Sequence, residues 1–163
     1  MRPQRIEPGP RQESVWDYPR PPVVVPTNDL VEVAYGDVVI ASTTAAQRIL
    51  ETSQPPAFYI PRKDIDMTLL VPGLGQSFCE WKGRASYFDL VVGENRIHQV
   101  GWTYDAPTPP FAAITSHLAF YAQKLDCSVD GEAVVPNEGS FYGGWVTSAV
   151  VGPFKGAPGT NWW

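Results

Sequence analysis

The sequence predicts a small, mostly antiparallel all-β domain with one or two short helices, and three observations indicate this. Three segments alternate apolar and polar residues on both sides of a short turn, which is the pattern of a β-hairpin. The 17 prolines and 14 glycines are spread along the chain, as in proteins built from short elements and tight turns. The 163 residues suit one domain, and 44% hydrophobic residues are enough for its core.

Residues 1–28 predict an extended arm that lies on this domain. The segment contains seven prolines. Because proline fixes φ and lacks a backbone N–H, this content excludes a helix or a central strand. Trp16 and Tyr18 would anchor the arm, since two large aromatic rings are a liability in a free tail.

Three hairpins define the predicted sheets. The Gly-Asp and Asp-Gly pairs at their tips supply the positive φ that two-residue hairpin turns need. Two further segments, residues 57–60 and 65–70, also resemble strands. The predicted hairpins pair residues 30–35 with 38–41, 87–92 with 96–102, and 125–129 with 132–135.

Two segments carry helical signals. Residues 44–51 contain good helix formers behind a serine and a threonine that suit an N-cap, and Pro55 ends the pattern. Residues 111–121 fit either a second short helix or a chain that bends into a strand at residues 118–121. The pattern leaves these two alternatives open.

Residues 137–163 are rich in glycine and in aromatic residues, among them Phe141, Tyr142, Trp145 and Trp163. So many exposed rings would be a liability, so we expect this segment to wrap over the same domain. The predicted organisation is therefore an arm over residues 1–28, a β-domain over residues 29–136 and a packed extension over residues 137–163.

Composition and charge exclude several classes of protein. The net charge is −5 and no basic cluster exists, whereas a nucleic-acid binder has a concentrated basic face. No apolar run predicts a membrane span or a signal peptide. Cys79 and Cys127 lack a Cys-x-x-Cys partner for zinc, and neither His98 nor His117 has a companion at metal-ligand spacing. We expect a cytoplasmic protein with free thiols that holds no metal or cofactor and binds no nucleic acid or membrane.

Residues 79–107 are the segment most indicative of a site. Aromatic residues with an N–H or O–H are costly to bury dry, so a cluster of them lies at the rim of a core or lines a pocket. The segment combines a thiol, an ammonium and four such rings: Cys79, Lys82, Trp81, Tyr87, Trp102 and Tyr104.

The lysine and the cysteine of this segment each have two interpretations. Lys82 presents its ammonium to an anionic ligand, or it snorkels along the aromatic surface to water. Cys79 is a reactive thiol if a turn at Lys82-Gly83 brings the lysine close enough to stabilise a thiolate. Otherwise Cys79 is a small buried hydrophobe, as most free cysteines are.

Further candidate contacts lie before and after this pair. Glu51 ends the predicted helix, where a carboxylate opposes the helix dipole. It is a general base, a hydrogen-bond partner of Tyr59 or Lys82, or a solvated helix end. Tyr87 and Trp102 occupy matching positions of one hairpin and should be cross-strand neighbours. They form either one wall of a pocket or a pair inside the core.

Five motifs follow one another in a fixed order. They are Leu50-Glu51-Thr52-Ser53-x-Pro55-Pro56, Tyr59-x-Pro61-x-x-Asp64-Ile65, Cys79-x-Trp81-Lys82-Gly83-x-Ala85-x-Tyr87, Trp102-x-Tyr104-x-x-Pro107 and Leu118-Ala119-Phe120-Tyr121. Together they resemble the bacterial family of uncharacterised domains DUF427 over roughly residues 29–136. Residues 139–147 look like an extension seen in some members.

The resemblance implies two antiparallel sheets that splay like a tent, a sandwich-like single domain similar to the ligand-binding domain of cereblon and to methionine sulfoxide reductase B. It implies no activity, because the family is defined without one. Some members are labelled nucleotidyltransferases, but the usual Gly-Ser followed by a metal-holding Asp-x-Asp pair is absent here. The nearest match, Asp64-Ile65-Asp66, lacks the Gly-Ser. The paired zinc-binding Cys-x-x-Cys motifs of tent-fold relatives are not carried over either.

Three functions are compatible with the sequence. The first is a soluble β-domain that binds a small polar or anionic ligand in an aromatic-lined cleft, with Lys82 and Glu51 as polar contacts. The second is an enzyme that uses Glu51 with Lys82, or Cys79, for acid–base or nucleophilic chemistry. The third is a protein-interaction module or homo-oligomer formed through the arm and the tail. The walls of the predicted cleft are Tyr59, Trp81, Tyr87 and Trp102.

Overall fold

The computed structural model describes residues 3–139 and 143–163, so Ser140, Phe141 and Tyr142 of the predicted extension lie outside the described residues. Strands take up 44% of the chain and 3-10 helices 9%, which confirms the all-β prediction. The strands are β1 (Glu13–Ser14), β2 (Val23–Pro26), β3 (Val31–Tyr35), β4 (Val38–Thr43), β5 (Gln47–Leu50), β6 (Ala57–Tyr59), β7 (Leu70–Cys79), β8 (Gly83–Val92), β9 (Asn95–Thr103), β10 (Leu118–Phe120), β11 (Asp126–Val129), β12 (Glu132–Ala133), β13 (Val135–Pro136), β14 (Trp145–Val146) and β15 (Val150–Val151). The 3-10 helices are Val15–Asp17, Arg62–Asp64, Met67–Leu69 and Pro109–Ile114.

Two four-stranded antiparallel sheets form the body of the domain, in the orders β10-β9-β8-β7 and β12-β11-β3-β4. The family resemblance implied two antiparallel sheets, without a number of strands. The described residues add an antiparallel three-stranded sheet, β2-β5-β6, and two small pairs, β13-β14 and the parallel β1-β15. The additional sheets come from the arm, the segment after β4 and the C-terminal residues.

All three predicted hairpins are present, as β3-β4, β8-β9 and β11-β12. Their tips adopt the positive φ that the turn residues predict, for example at Gly36, Gly93 and Gly131. The predicted strand at residues 57–60 is also present as β6, and Ile60 continues it with an isolated bridge to Leu118.

The predicted helix over residues 44–51 is wrong, because this segment contains strand β5. β5 lies between β2 and β6, and its buried residues Ile49 and Leu50 pack into two different clusters. The Thr43 hydroxyl accepts a hydrogen bond from Ala45 N (2.9 Å) in a tight turn instead of capping a helix. Pairing with two neighbouring strands outweighs the helix propensity of these residues.

The predicted strand over residues 65–70 is also wrong for most of its length. Asp66 caps the 3-10 helix Met67–Leu69 by accepting a hydrogen bond from Thr68 N (3.1 Å), and β7 begins only at Leu70. Both alternatives left open for residues 111–121 are present, one after the other along the chain. The 3-10 helix Pro109–Ile114 is followed by strand β10.

Among the described residues, three clusters of buried side chains make up the core. The largest joins the two four-stranded sheets and includes Trp145 from the C-terminal segment. The second, with Tyr59, Trp102 and Tyr104, lies against the three-stranded sheet. The third joins the arm to the C-terminal segment through Val15, Trp16, Tyr18, Leu50 and Val150.

Strand β7 forms one border of the sheet β10-β9-β8-β7. Leu74 and Phe78 of this strand are 93% and 78% exposed. Its pairing with β8 is interrupted by a register shift between Pro72 and Gln76. None of the helices within residues 3–139 and 143–163 has the length and apolarity needed to cross a membrane.

Candidate functional site

A cavity of about 340 Å³ lies where the sheet β10-β9-β8-β7 faces the three-stranded sheet β2-β5-β6. Its lining includes all six residues that the sequence suggested as ligand contacts, and also the candidate thiol Cys79. They come from the residue after β5, from β6, from the β7-β8 hairpin and from β9, so residues far apart in sequence converge. These residues are Glu51, Tyr59, Cys79, Trp81, Lys82, Tyr87 and Trp102.

The aromatic wall is built on one cross-strand pair. Tyr87 of β8 lies directly opposite Trp102 of β9, as the hairpin symmetry predicts. Trp102 Nε1 donates a hydrogen bond to Tyr59 Oη (3.0 Å), and the two rings meet edge to face with centroids 6.1 Å apart. Tyr121 packs on the same indole with a centroid distance of 4.6 Å. The indole of Trp102 therefore lies at the centre of the wall, next to Tyr59, Tyr87 and Tyr121.

The hydroxyls of Tyr59, Tyr104 and Tyr121 remain protonated at neutral pH. Burial raises the pKa of Tyr59 and of Tyr104 well above the ordinary value, and raises the pKa of Tyr121 to about 12. The Tyr87 hydroxyl donates to Ser77 Oγ (2.8 Å) on β7. Most of the wall is buried, since Trp102 and Tyr104 are 8% and 6% exposed and Tyr59 has no exposed surface, whereas Tyr87 is half-buried.

Lys82 brings a positive charge to this wall. It lies in the turn that joins β7 to β8, and its Nζ is 5.6 Å from the centroid of the Tyr104 ring. Among the residues that the structure describes, no carboxylate lies within 4.0 Å of this ammonium. Gly83 follows with φ +105°, a conformation that favours glycine, and so sharpens the turn.

Glu51 has different partners from those proposed on the sequence. It follows strand β5, so the argument from a helix dipole does not apply. Its Oε2 accepts hydrogen bonds from Gln54 Nε2 (2.8 Å) and from Arg20 Nη2 (3.3 Å). Neither Tyr59 nor Lys82 donates to it. Within residues 3–139 and 143–163, Oε1 receives no hydrogen bond from the protein.

The two cysteines differ in their surroundings. Cys79 is half-buried, unpaired and part of the cavity lining, at the end of β7 and opposite Gly83. The turn required to bring it near Lys82 is therefore present. Cys127 lies in the core, and burial raises the pKa of its thiol to about 12, which makes it inert.

Several lining residues were not proposed from the sequence. Tyr121 ends a segment in which Leu118 and Phe120 pack into the main core and Ala119 and Tyr121 into the cluster at the cavity. This alternation is a signal that a period-two analysis would have found. The C-terminal segment contributes Gly143, Gly144 and Lys155, for which no local pattern exists.

Gly143 is required by the close approach of the C-terminal segment to Trp102. A Cβ at this position would lie 2.1 Å from Trp102 Cη2. The backbone at Gly143 therefore packs directly on the indole and closes one side of the cavity.

A separate polar cluster surrounds Asp89, at a register shift between β8 and β9. The buried carboxylate accepts hydrogen bonds from Gln99 N (2.8 Å) and Arg96 Nε (3.1 Å), and its Oδ2 is 3.0 Å from His98 Nδ1. Burial opposes ionisation, but these contacts prevail and lower the pKa of Asp89. Among the described residues, no group of three or more His, Cys, Asp or Glu side chains is arranged to hold a metal ion.

Comparison with protein-family models matches residues 23–131 to a family described as a domain of unknown function, DUF427. No curated protein matches the chain. The matched residues contain β2 to β11 and most of the cavity lining. The segment that contributes Gly143, Gly144 and Lys155 lies outside the match.

Proposed function

Because the chain belongs to the DUF427 family, which has no assigned activity, we propose a function from the cavity itself: this domain binds a small polar or anionic ligand between its sheets. The volume of about 340 Å³ is at the lower end of the range for small-molecule sites. We further propose a bacterial, cytoplasmic protein, in keeping with the family resemblance and two free thiols.

The observation that carries this proposal is the ammonium of Lys82. A lysine that merely snorkels extends away from apolar surface to bulk water. Here the side chain lies against the Tyr104 ring inside the cavity lining, and no carboxylate of the described residues neutralises it. An anionic group of a ligand would supply the missing counter-charge.

Thermal-shift screening with inorganic phosphate, sulfate and a panel of small carboxylates tests the proposal. We expect at least one anion to raise the unfolding midpoint of the wild-type protein, and the shift to be absent in Lys82→Met. This variant keeps the aliphatic stem but removes the charge. The matched control is Lys63→Met, at an exposed lysine outside the cavity, which should respond like the wild type. A panel that shifts neither protein, or shifts Lys82→Met equally, overturns the proposal.

A further inference from the structure

We propose that the ligand is bipolar: it carries an anionic group that pairs with Lys82 and a hydrogen-bond donor, such as an ammonium, that pairs with Glu51 Oε1. This inference rests on the proposed function and specifies its ligand class. Arg20 and Gln54 act as positioning residues that hold Glu51 by its other oxygen.

The hydrogen bonds of Glu51 to the described residues are confined to one of its two carboxylate oxygens. The carboxylate lines the cavity, and its side chain is only 16% exposed. An ionised carboxylate accepts hydrogen bonds at both oxygens. Among the described residues, Ser53 Oγ is the one buried side-chain polar atom without a partner, so Glu51 Oε1 remains accessible. Both of its protein contacts fall on Oε2, so the acceptor capacity of Oε1 is available to a group in the cavity.

The protein holds this carboxylate in one orientation. Gln54, whose amide donates to Glu51 Oε2, also donates its backbone N–H to the Glu51 carbonyl (3.1 Å). Arg20 Nη2 bonds Glu51 Oε2 and the carbonyl of Thr52 (2.8 Å), while its Nη1 bonds the carbonyl of Trp163 (3.1 Å). Arg20 and Gln54 therefore fix the position of the Glu51 carboxylate, and this pre-organises its other oxygen, Oε1, for a ligand.

The cavity lining combines opposite charges with aromatic rings. Lys82 lies on the β7-β8 turn, whereas Glu51 follows β5 of the three-stranded sheet. Both residues line the cavity together with Tyr59, Trp102 and Tyr104, whose rings pack against one another. A cation, an open acceptor and apolar rings in one cavity match a molecule with two polar ends and an apolar body.

Matched triplets of probes test this class directly. Each triplet contains a bipolar molecule, its counterpart without the amine and its counterpart without the carboxylate. We suggest 5-aminovalerate with valerate and pentylamine, phenylalanine with 3-phenylpropionate and phenethylamine, and tryptophan with indole-3-propionate and tryptamine. Affinities are measured by isothermal titration calorimetry. In at least one triplet, the bipolar member should bind at least about tenfold more tightly than either counterpart, because each counterpart lacks one of the two charged hydrogen bonds.

Variants of Glu51 and Lys82 show which end of the bound molecule each residue contacts. Glu51→Gln should remove the preference for the bipolar member over its anionic counterpart without weakening the binding of the anion, because the substitution removes a like charge from the cavity. Lys82→Met should weaken the bipolar and the anionic members alike. Arg20→Met should reduce the preference for the bipolar member about threefold or more, an effect that a purely structural role would not produce. The controls Glu94→Gln and Arg84→Met, both exposed and outside the lining, should leave the preference intact.

The outcomes separate this inference from the proposed function. If the anions bind as tightly as their bipolar counterparts and Glu51→Gln has no effect, the bipolar ligand class is wrong while binding of an anion at Lys82 stands. If no member of any triplet binds and the anion panel is also without effect, both proposals fail.

Discussion

At the scale of single residues, Trp102 is held in the cavity wall by several specific contacts. Its indole donates to one tyrosine, packs on another and is covered by the backbone of Gly143. Tyr59, its acceptor, has no solvent-exposed surface. A buried polar pair of this kind stabilises the fold only while both members are present, because either one alone is left unsatisfied.

A double-mutant cycle measures the energy of this pair. Tyr59→Phe and Trp102→Phe each remove one partner, and we expect each to lower the free energy of unfolding by about 1–3 kcal/mol. The double variant should lose less than the sum of the two, with a coupling of about 0.5–1.5 kcal/mol. Urea denaturation of the four proteins provides the measurement. Strict additivity would mean that the hydrogen bond contributes nothing.

Asp89 makes the stability of the protein depend on pH in the acidic range. Its pKa is lowered in the folded state, so its stabilising contribution is complete above the unfolded value, about 3.9, and is lost as the pH falls through the folded pKa. Asp89→Asn should therefore destabilise the protein by about 1.5–3 kcal/mol at pH 7. The difference from the wild type should shrink progressively below about pH 4.

Thermal unfolding of both proteins between pH 7 and pH 2.5 tests this expectation. Other carboxylates with lowered pKa, those of Glu13, Asp17 and Glu132, titrate in the same range in both proteins and cancel in the difference. A difference that stays constant with pH would show that Asp89 does not titrate with folding.

At the scale of elements, the sequence predicted strands paired by short turns and failed where distant segments determine the structure. The hairpin β8-β9 carries its own alternation and turn, and the opposition of Tyr87 and Trp102 followed from that symmetry alone. β5 has no such local partner. It is a strand because β2 and β6 pair with it on both sides, and this information lies outside its own residues.

The C-terminal segment is an element of the core. Trp145 is 1% exposed, stacks on Phe58 with centroids 5.2 Å apart and donates its indole N–H to the Phe120 carbonyl (2.9 Å). We expect Trp145→Ala to cost about 3–5 kcal/mol in urea denaturation. The matched control is Trp162→Ala, at a residue 70% exposed, which should change stability by no more than about 0.5 kcal/mol. Equal effects of the two substitutions would contradict the assignment of Trp145 to the core.

At the scale of the whole molecule, the two terminal segments hold each other in place. β1 pairs with β15, and Trp16 Nε1 donates to the Pro153 carbonyl (2.8 Å). The rings of Trp16 and Trp163 lie 5.8 Å apart. The arm therefore supports the same C-terminal segment that closes the cavity and that Arg20 connects to Glu51.

Loosening the arm should consequently loosen the C-terminal segment. In Trp16→Ala, we expect amide hydrogens in residues 145–163 to exchange at least about tenfold faster, because their local opening loses a packed neighbour. Amides of β8 and β9 should keep their protection. Hydrogen exchange followed by mass spectrometry distinguishes the two regions. Uniform acceleration across the chain would indicate global destabilisation, and unchanged rates in residues 145–163 would show that the arm does not support that segment.

The candidate site, like the strands, was predicted where the signal is local in sequence and missed where distant segments determine the structure. Six of its lining residues were proposed because they cluster in sequence or in recognisable motifs, and the fold brings them together. Lys155 was missed because its position depends on two hydrogen bonds to residues remote in sequence. Its N–H donates to the Ser53 carbonyl (2.8 Å), and its carbonyl accepts from the side-chain amide of Asn137 (2.8 Å). The partners of Glu51 were missed for the same reason, since Arg20 belongs to the arm.

The border strand β7 has a consequence for the behaviour of the protein at high concentration. An exposed border strand with apolar side chains such as Leu74 and Phe78 can pair with the same strand of a second molecule and so extend the sheet. Repeated pairing of this kind would form fibrils. Pro72 offers no N–H for such growth, and the misalignment that follows it breaks the continuous template a fibril requires. We therefore expect substitutions that make the pairing of this stretch regular to promote aggregation at high protein concentration.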